Sequence, residues 1–177
     1  MVALGSQCPA FDLHDPRGFR MSNADVFGRP LLVMFLCNHC PFVKHIRHEV
    51  AAIGRTYVPK GLAIAAISSN DPATYPADAP ELMAAEACDV GYCFPYLFDA
   101  TQDVARAFDA QCTPDFFLYD RHHRLVYRGQ LDQSRPGNAI PVTGQDLRAA
   151  LDAVLAERPP SADQRPSVGC SIKWRSS

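Results

Sequence analysis

Two cysteines with two residues between them, Cys37-Asn38-His39-Cys40, are the part of this sequence best suited to chemistry. In a C-x-x-C pair the sulfurs reach bonding distance on one helical turn, so one can attack an external disulfide and the other can resolve the mixed disulfide. The pair follows a continuous apolar run, Leu31 to Leu36, and precedes Phe42, Ile46, Val50, Ile53 and Tyr57, an apolar stripe at helical spacing. It therefore sits where a buried strand ends and a helix begins. The free N–H groups and the dipole at a helix N-terminus stabilise an anion. Thiolates in such places have pKa values lowered from about 8.5 to roughly 3.5–7.5. The expected anion is the Cys37 thiolate, with Cys40 resolving the mixed disulfide and protonated His39 adding a second stabilising charge. Pro41 suits the first turn, where its missing N–H has no helical acceptor.

Metal binding is the sharpest rival, because Cys37, Cys40, His45 and His48 are spaced like a zinc string. Helical geometry argues against it. At about 1.5 Å and 100° per residue, His45 lies some 140° around from Cys40, and His48 lies about 12 Å further along the axis. Four such groups cannot converge on one tetrahedral ion. The expectation is no metal ligation and no cofactor, with a metal-binding protein or metallochaperone using the reduced dithiol kept as an alternative.

Gly54 weakens the helix and Pro59-Lys60-Gly61 stops it, after which Leu62 to Ile67 reads as a second buried strand. Strand, helix and strand make a parallel pair with a right-handed crossover. Residues Pro9 to Pro30 read as irregular, and Ser68 to Pro80 as a turn-rich connector. A helix is predicted over about Glu81–Val90, a short strand over Phe94–Phe98, and a short helix over Thr101–Phe108 capped by Thr101. Asp115–Asp120 and Arg124–Gly129 flank Arg121-His122-His123 as a β-hairpin, with both histidines solvated at its tip. Gln145–Glu157 carries Leu147, Leu151, Val154 and Leu155 as a final amphipathic helix. This order resembles the thioredoxin-like sandwich, an α/β fold with a central mixed sheet flanked by helices. It divides the chain into a domain over 1–158 and a tail over 159–177 that packs on it.

Seventeen Lys and Arg against nineteen Asp and Glu give a net charge of −2, with no basic run of the kind that nucleic-acid binding needs. No apolar run approaches the 18 or so residues of a membrane span. Seven cysteines cannot all pair. The first fifteen residues hold Asp12 and Asp15 but no Lys or Arg, unlike a signal peptide. The expectation is a cytoplasmic protein with reduced thiols, binding neither nucleic acid nor membrane.

The opening Leu4-Gly5-Ser6-Gln7-Cys8-Pro9-Ala10-Phe11-Asp12-Leu13 resembles the start of the alkyl hydroperoxide reductase and thiol-specific antioxidant (AhpC/TSA, peroxiredoxin-like) branch of the thioredoxin superfamily. Phe35 to His45, Cys112-Thr113-Pro114-Asp115-Phe116-Phe117 and Gly169-Cys170-Ser171-Ile172-Lys173-Trp174 are similar to its C-x-x-C subgroup. The resemblance implies a thiol-disulfide oxidoreductase with a redox-homeostasis or antioxidant role. It implies Cys37 as an exposed nucleophile, Cys40 as the resolving thiol, Pro114 as a cis-proline facing the dithiol, and Thr113 offering backbone groups to a substrate strand. The implied partners are a protein or small-molecule disulfide, or a peroxide, and a cellular thiol reductant. A thiol peroxidase with Cys40 as the peroxidatic cysteine is the alternative within enzymes. Against it, the family motif P-x-x-x-T-x-x-C would need Pro at Val33 and Thr at Cys37. The buried carboxylate of thioredoxins falls at Leu31, and their tryptophan before the motif at Leu36. Proton acceptance then falls to water, His39 or another group, for which Asp115 and Glu49 are candidates.

Cys112 and Cys170 are candidates for auxiliary redox roles, the first from its place two residues before Pro114, the second if the tail folds back. Cys8, Cys88 and Cys93 read as packing residues.

Overall fold

A computed structural model describes residues 2–176. A seven-stranded mixed sheet runs in the order β2-β1-β5-β4-β3-β7-β8. Its strands are β1 (Asp12–His14), β2 (Arg20–Ser22), β3 (Leu31–Phe35), β4 (Ala63–Ser68), β5 (Tyr96–Phe98), β7 (Asp115–Tyr119) and β8 (Leu125–Gly129). Strands β3, β4 and β5 are parallel, β7 runs antiparallel to β3, and β8 runs antiparallel to β7. The helices are α1 (Pro41–Tyr57), α2 (Pro80–Val90), α3 (Asp103–Ala107) and α4 (Gln145–Leu155). A second sheet joins the two-residue strands β6 (Cys112–Thr113) and β9 (Cys170–Ser171).

Every residue of β3 is buried, so its alternation feeds two cores. Leu32, Met34 and Leu36 pack with the inner faces of α1, α2 and α4, whereas Leu31, Val33 and Phe35 pack with Phe108, Phe117 and Ile172. The second core takes in part of the C-terminal segment, since Ile172 is buried there. Helix α1 buries Val43, Ile46, Val50, Ile53 and Tyr57. Gly61, at φ 98°, then turns the chain into β4.

The N-terminal stretch that reads as irregular instead forms the β1–β2 hairpin, whose edge strand β1 pairs with β5 through His14 and Phe98. Gln102, in the left-handed region, stands at the N-cap of α3, and Thr101 Oγ1 accepts only the Asp103 N–H. His122 is solvated as expected, but His123 is buried. Its Nε2 lies 3.2 Å from the Arg29 carbonyl, and its ring meets Phe27 edge-on. Desolvation lowers its pKa.

The segment after α4 runs along the free edge of β8. Gln164 bonds Arg128 N and the Val126 carbonyl, Gln130 N donates to the Arg165 carbonyl, and Ser167 Oγ donates to the Gly129 carbonyl. An otherwise open sheet edge is thereby covered. The segment then crosses to β6.

Candidate active site

Helix α1 begins at Pro41, with Cys40 at its N-cap and Cys37 in the short link after β3. Thr113 touches both sulfurs. Cys37 Sγ lies 3.3 Å from its Oγ1, and the Cys40 thiol donates to its carbonyl at 3.3 Å. The Thr113–Pro114 bond is cis. The structure thus brings together Cys37, Cys40, Thr113 and Pro114. One expectation needs correction: Cys37 is not exposed. It is 1% accessible and Cys40 0%, with Thr113 against both sulfurs and Cys170 packed on the cluster that holds them.

The proton and the charge of the reduced pair are unequally placed. The Cys37 thiol beside it pulls Cys40 down to about 4. Burial opposes this, and the Cys170 thiol and the amides of Val43 and Cys170 add to it. The Cys40 side chain makes no cap hydrogen bond of ordinary geometry, so the effect comes from several groups clustered around one sulfur. Cys37 moves the other way, raised by its role toward Cys40 and by burial, with Thr113 working against the rise. Cys40 is thus the more acidic of the two thiols, whereas the helix N-terminus alone points to Cys37.

His39 sits beside the pair, held by a residue that sequence reading missed. Its Nδ1 is 2.5 Å from Asp78 Oδ2, and its ring stacks on Tyr75 at 4.7 Å between centroids. Asp78 is fully buried. Its Oδ1 accepts the backbone N–H groups of Asn38 (2.8 Å) and His39 (3.2 Å), while Oδ2 also accepts Asn70 Nδ2 at 2.9 Å. Asn38 Oδ1 in turn accepts the Tyr96 hydroxyl at 2.9 Å. One carboxylate therefore clamps the two intervening residues of the C-x-x-C loop and fixes which His39 nitrogen carries the proton. Asp78 lies inside the proline-rich connector, where an acid ordinarily reads as a turn residue, so no spacing signal marked it. The other two candidate acids are ion-paired, Asp115 with Arg128 at 3.4 Å and Glu49 with Arg148 at 2.6 Å.

A sulfur of Cys37, a ring nitrogen of His39 and an oxygen of Asp78 lie within 4.8 Å of one another, a set that could in principle ligate a metal. The Asp78 oxygens are already engaged by four donors, which a cation would have to displace. His45 is drawn away to Ser134 Oγ at 2.7 Å, so the zinc-like string does not converge.

Strand β9 brings Cys170 to the site, pairing it with Thr113 while Ser171 pairs with Cys112. Cys112 itself directs its thiol at the Pro114 carbonyl (3.5 Å). Burial pushes it up to about 12. Cys8 is buried and likewise raised to about 12. Cys88 and Cys93 are exposed and so are not the packing residues expected.

The strand order and the two cysteines against a cis-proline define a thioredoxin-like fold. The family model described as the AhpC/TSA family matches residues 4–128, and the chain belongs to that family. No curated protein matches it. Among solved structures, it is 53% identical to an uncharacterized conserved protein from Geobacillus kaustophilus (TM-score 0.97; 100% of this chain and 95% of that one). It is 48% identical to a hypothetical protein from Sinorhizobium meliloti (TM-score 0.97; 100% and 97%). The thioredoxin domain of a thiol-disulfide oxidoreductase from Bacteroides vulgatus shares the fold at 20% identity (TM-score 0.62; 72% and 89%). Among the described residues, no helix is long and apolar enough to cross a membrane.

Proposed function

We propose that this chain is a thiol-disulfide oxidoreductase working through Cys37 and Cys40. The observation that carries the reading is the contact of both sulfurs with Thr113, Cys37 at its hydroxyl and Cys40 at its carbonyl. His39, with a ring nitrogen within 4.8 Å of the Cys37 sulfur, takes the Cys37 proton, and Asp78 holds the ring for that transfer. The Cys37 thiolate attacks one sulfur of a disulfide, the other sulfur leaves as a thiolate and takes up a proton, and a mixed disulfide remains. The Cys40 thiolate then attacks Cys37 Sγ, releasing the second substrate thiol and closing the Cys37–Cys40 disulfide. A cellular thiol reverses the closure, with the direction set by the pair's potential against its surroundings. Since both sulfurs are covered, the C-terminal strand has to yield to a protein substrate. We place the work in the cytoplasm, where an odd number of thiols stays reduced.

The test is trapping with a disulfide-bonded peptide. Cys40→Ser should accumulate a mixed disulfide at Cys37, and Cys37→Ser should not turn over. No adduct on any variant would remove the reading.

A second reading is a thiol peroxidase with Cys40 as the peroxidatic cysteine, favoured by the charge gathered on Cys40. It requires hydrogen peroxide consumption that survives Cys37→Ser and disappears in Cys40→Ser.

A further inference from the structure

The redox reading uses two of the three sulfurs gathered at this site. Cys170 is the third, and its position is built rather than incidental. Strand β9 pairs antiparallel with β6 in a register that sets Cys170 opposite Thr113, the residue whose side chain and carbonyl touch Cys37 and Cys40. The thiol and the amide of Cys170 both act on the Cys40 sulfur, and the half-buried Cys170 packs against the core cluster that holds both dithiol cysteines.

The register is held on either side. At Gly169 a Cβ atom would come within 2.0 Å of the Thr113 carbonyl oxygen, so only glycine allows the strand this close. Beyond Cys170, Ile172 is buried in the second core, and Lys173 N donates to Asn70 Oδ1 at 2.8 Å. The Lys173 carbonyl accepts Gln102 Nε2 at 2.9 Å and Asp71 N at 3.1 Å, while Arg106 lies over the Trp174 ring at 4.9 Å. Asn70 also bonds Asp78, so the strand and the His39 clamp share one polar network.

We propose that Cys170 is a third redox thiol, which exchanges into the oxidised pair to form a Cys40–Cys170 disulfide and set Cys37 free. This rests on the dithiol reading above. The Cys170 thiolate attacks Cys40 Sγ of the Cys37–Cys40 disulfide. The Cys40–Cys170 bond forms, the Cys37–Cys40 bond breaks, and Cys37 leaves as a thiolate that takes up the proton lost by Cys170. One disulfide replaces another, so no further oxidant or reductant enters. Burial, and then the neighbouring Cys40 thiol, raise Cys170 to about 11 in the reduced protein. Oxidation of Cys40 removes the second of these, which eases formation of the Cys170 thiolate once the pair is oxidised. In the product the C-terminal strand is tied covalently over the cis-proline edge while Cys37 is again a thiol.

The test oxidises the full-length protein with glutathione disulfide, quenches in acid, alkylates with N-ethylmaleimide and maps disulfides by peptide mass spectrometry. The wild type should yield both Cys37–Cys40 and Cys40–Cys170, with some alkylated Cys37. Cys37→Ser should yield Cys40–Cys170 within one chain, and Cys170→Ser only Cys37–Cys40, with Cys37 alkylation in the oxidised sample lost. A Cys37–Cys40 disulfide without any Cys40–Cys170 bond, in the wild type and in Cys37→Ser alike, would overturn the proposal and leave the dithiol reading standing. A Cys40–Cys170 bond found only between two chains, seen as a dimer on a non-reducing gel, would also overturn it. Neither disulfide in any sample would overturn both.

Discussion

Asp78 reaches His39 from a connector 39 residues away and binds it twice, at the backbone N–H and at ring Nδ1. The C-x-x-C loop is therefore held from outside the β3–α1 unit that presents it. In this chain Leu31 is an apolar core residue, and the buried carboxylate near the dithiol comes instead from the link between β4 and α2.

Replacing Asp78 by Asn puts an amide where Oδ2 now accepts two donors, which leaves the Asn70 amide without its acceptor and reverses the His39 tautomer. Disulfide exchange should slow about a hundred-fold, the low end of what a positioned proton-transfer group supplies, and its pH profile should flatten. One buried donor left unpaired costs about 1–3 kcal/mol, readable in urea unfolding. Lost stability with an unchanged rate and pH profile would reduce Asp78 to a structural clamp.

The acidity of the reduced pair carries over to stability. Cys40 is more acidic folded, at about 4, than at the ordinary thiol value of 9.0. Its contribution to stability is complete above 9, and is lost progressively as pH falls toward 4. Cys37 is shifted upward, so its contribution is present below 9 and is lost as pH rises beyond it. The unfolding free energy of reduced wild type minus that of Cys40→Ser should therefore grow from pH 5 to pH 9. Thiolate absorbance at 240 nm should persist at pH 6 and vanish in Cys40→Ser. A flat difference, or no thiolate at pH 6, would contradict the assignment of the charge to Cys40.

Gly169→Ala tests what covers the dithiol. A methyl group 2.0 Å from the Thr113 carbonyl oxygen cannot coexist with the β6–β9 pairing. The strand should lift and take with it the burial of Ile172, worth roughly 1.5–3 kcal/mol. Iodoacetamide should then label Cys37 faster than in the wild type, with a lower thermal midpoint. An unchanged labelling rate would show that the covering lies elsewhere.

Much of this arrangement is legible in the residues. Leu31–Phe35 and Ala63–Ile67 are unbroken apolar runs because both sheet faces are covered. The α1 stripe and the Asp115–Gly129 hairpin keep the periods of their elements. Strands β1, β2, β6 and β9 have two or three residues each, too few to set a period, and they exist because a partner strand pairs with them. His123 reads as a turn residue because its burial is supplied by Phe27 and Arg29, about a hundred positions earlier. Asp78 stayed hidden for the same reason: its donors come from Asn38, His39 and Asn70. The helix N-terminus pointed to a thiolate but not to which cysteine is the more acidic, since that depends first on the Cys37 thiol beside Cys40 and then on Cys170 arriving from the far end of the chain.

The central claim, a reversible Cys37–Cys40 disulfide, is tested most directly by equilibrating the protein across a glutathione redox series and following the two thiols by acid quench, alkylation and mass spectrometry. The account predicts that Cys37 protection tracks the redox poise, with Cys37–Cys40 as the first disulfide formed. It predicts a potential less negative than the roughly −270 mV of thioredoxin, because a thiolate already stabilised on Cys40 favours the reduced pair. Cys37 and Cys40 both alkylated at every ratio would contradict the claim itself, and a potential at or below −270 mV would contradict the stabilised thiolate.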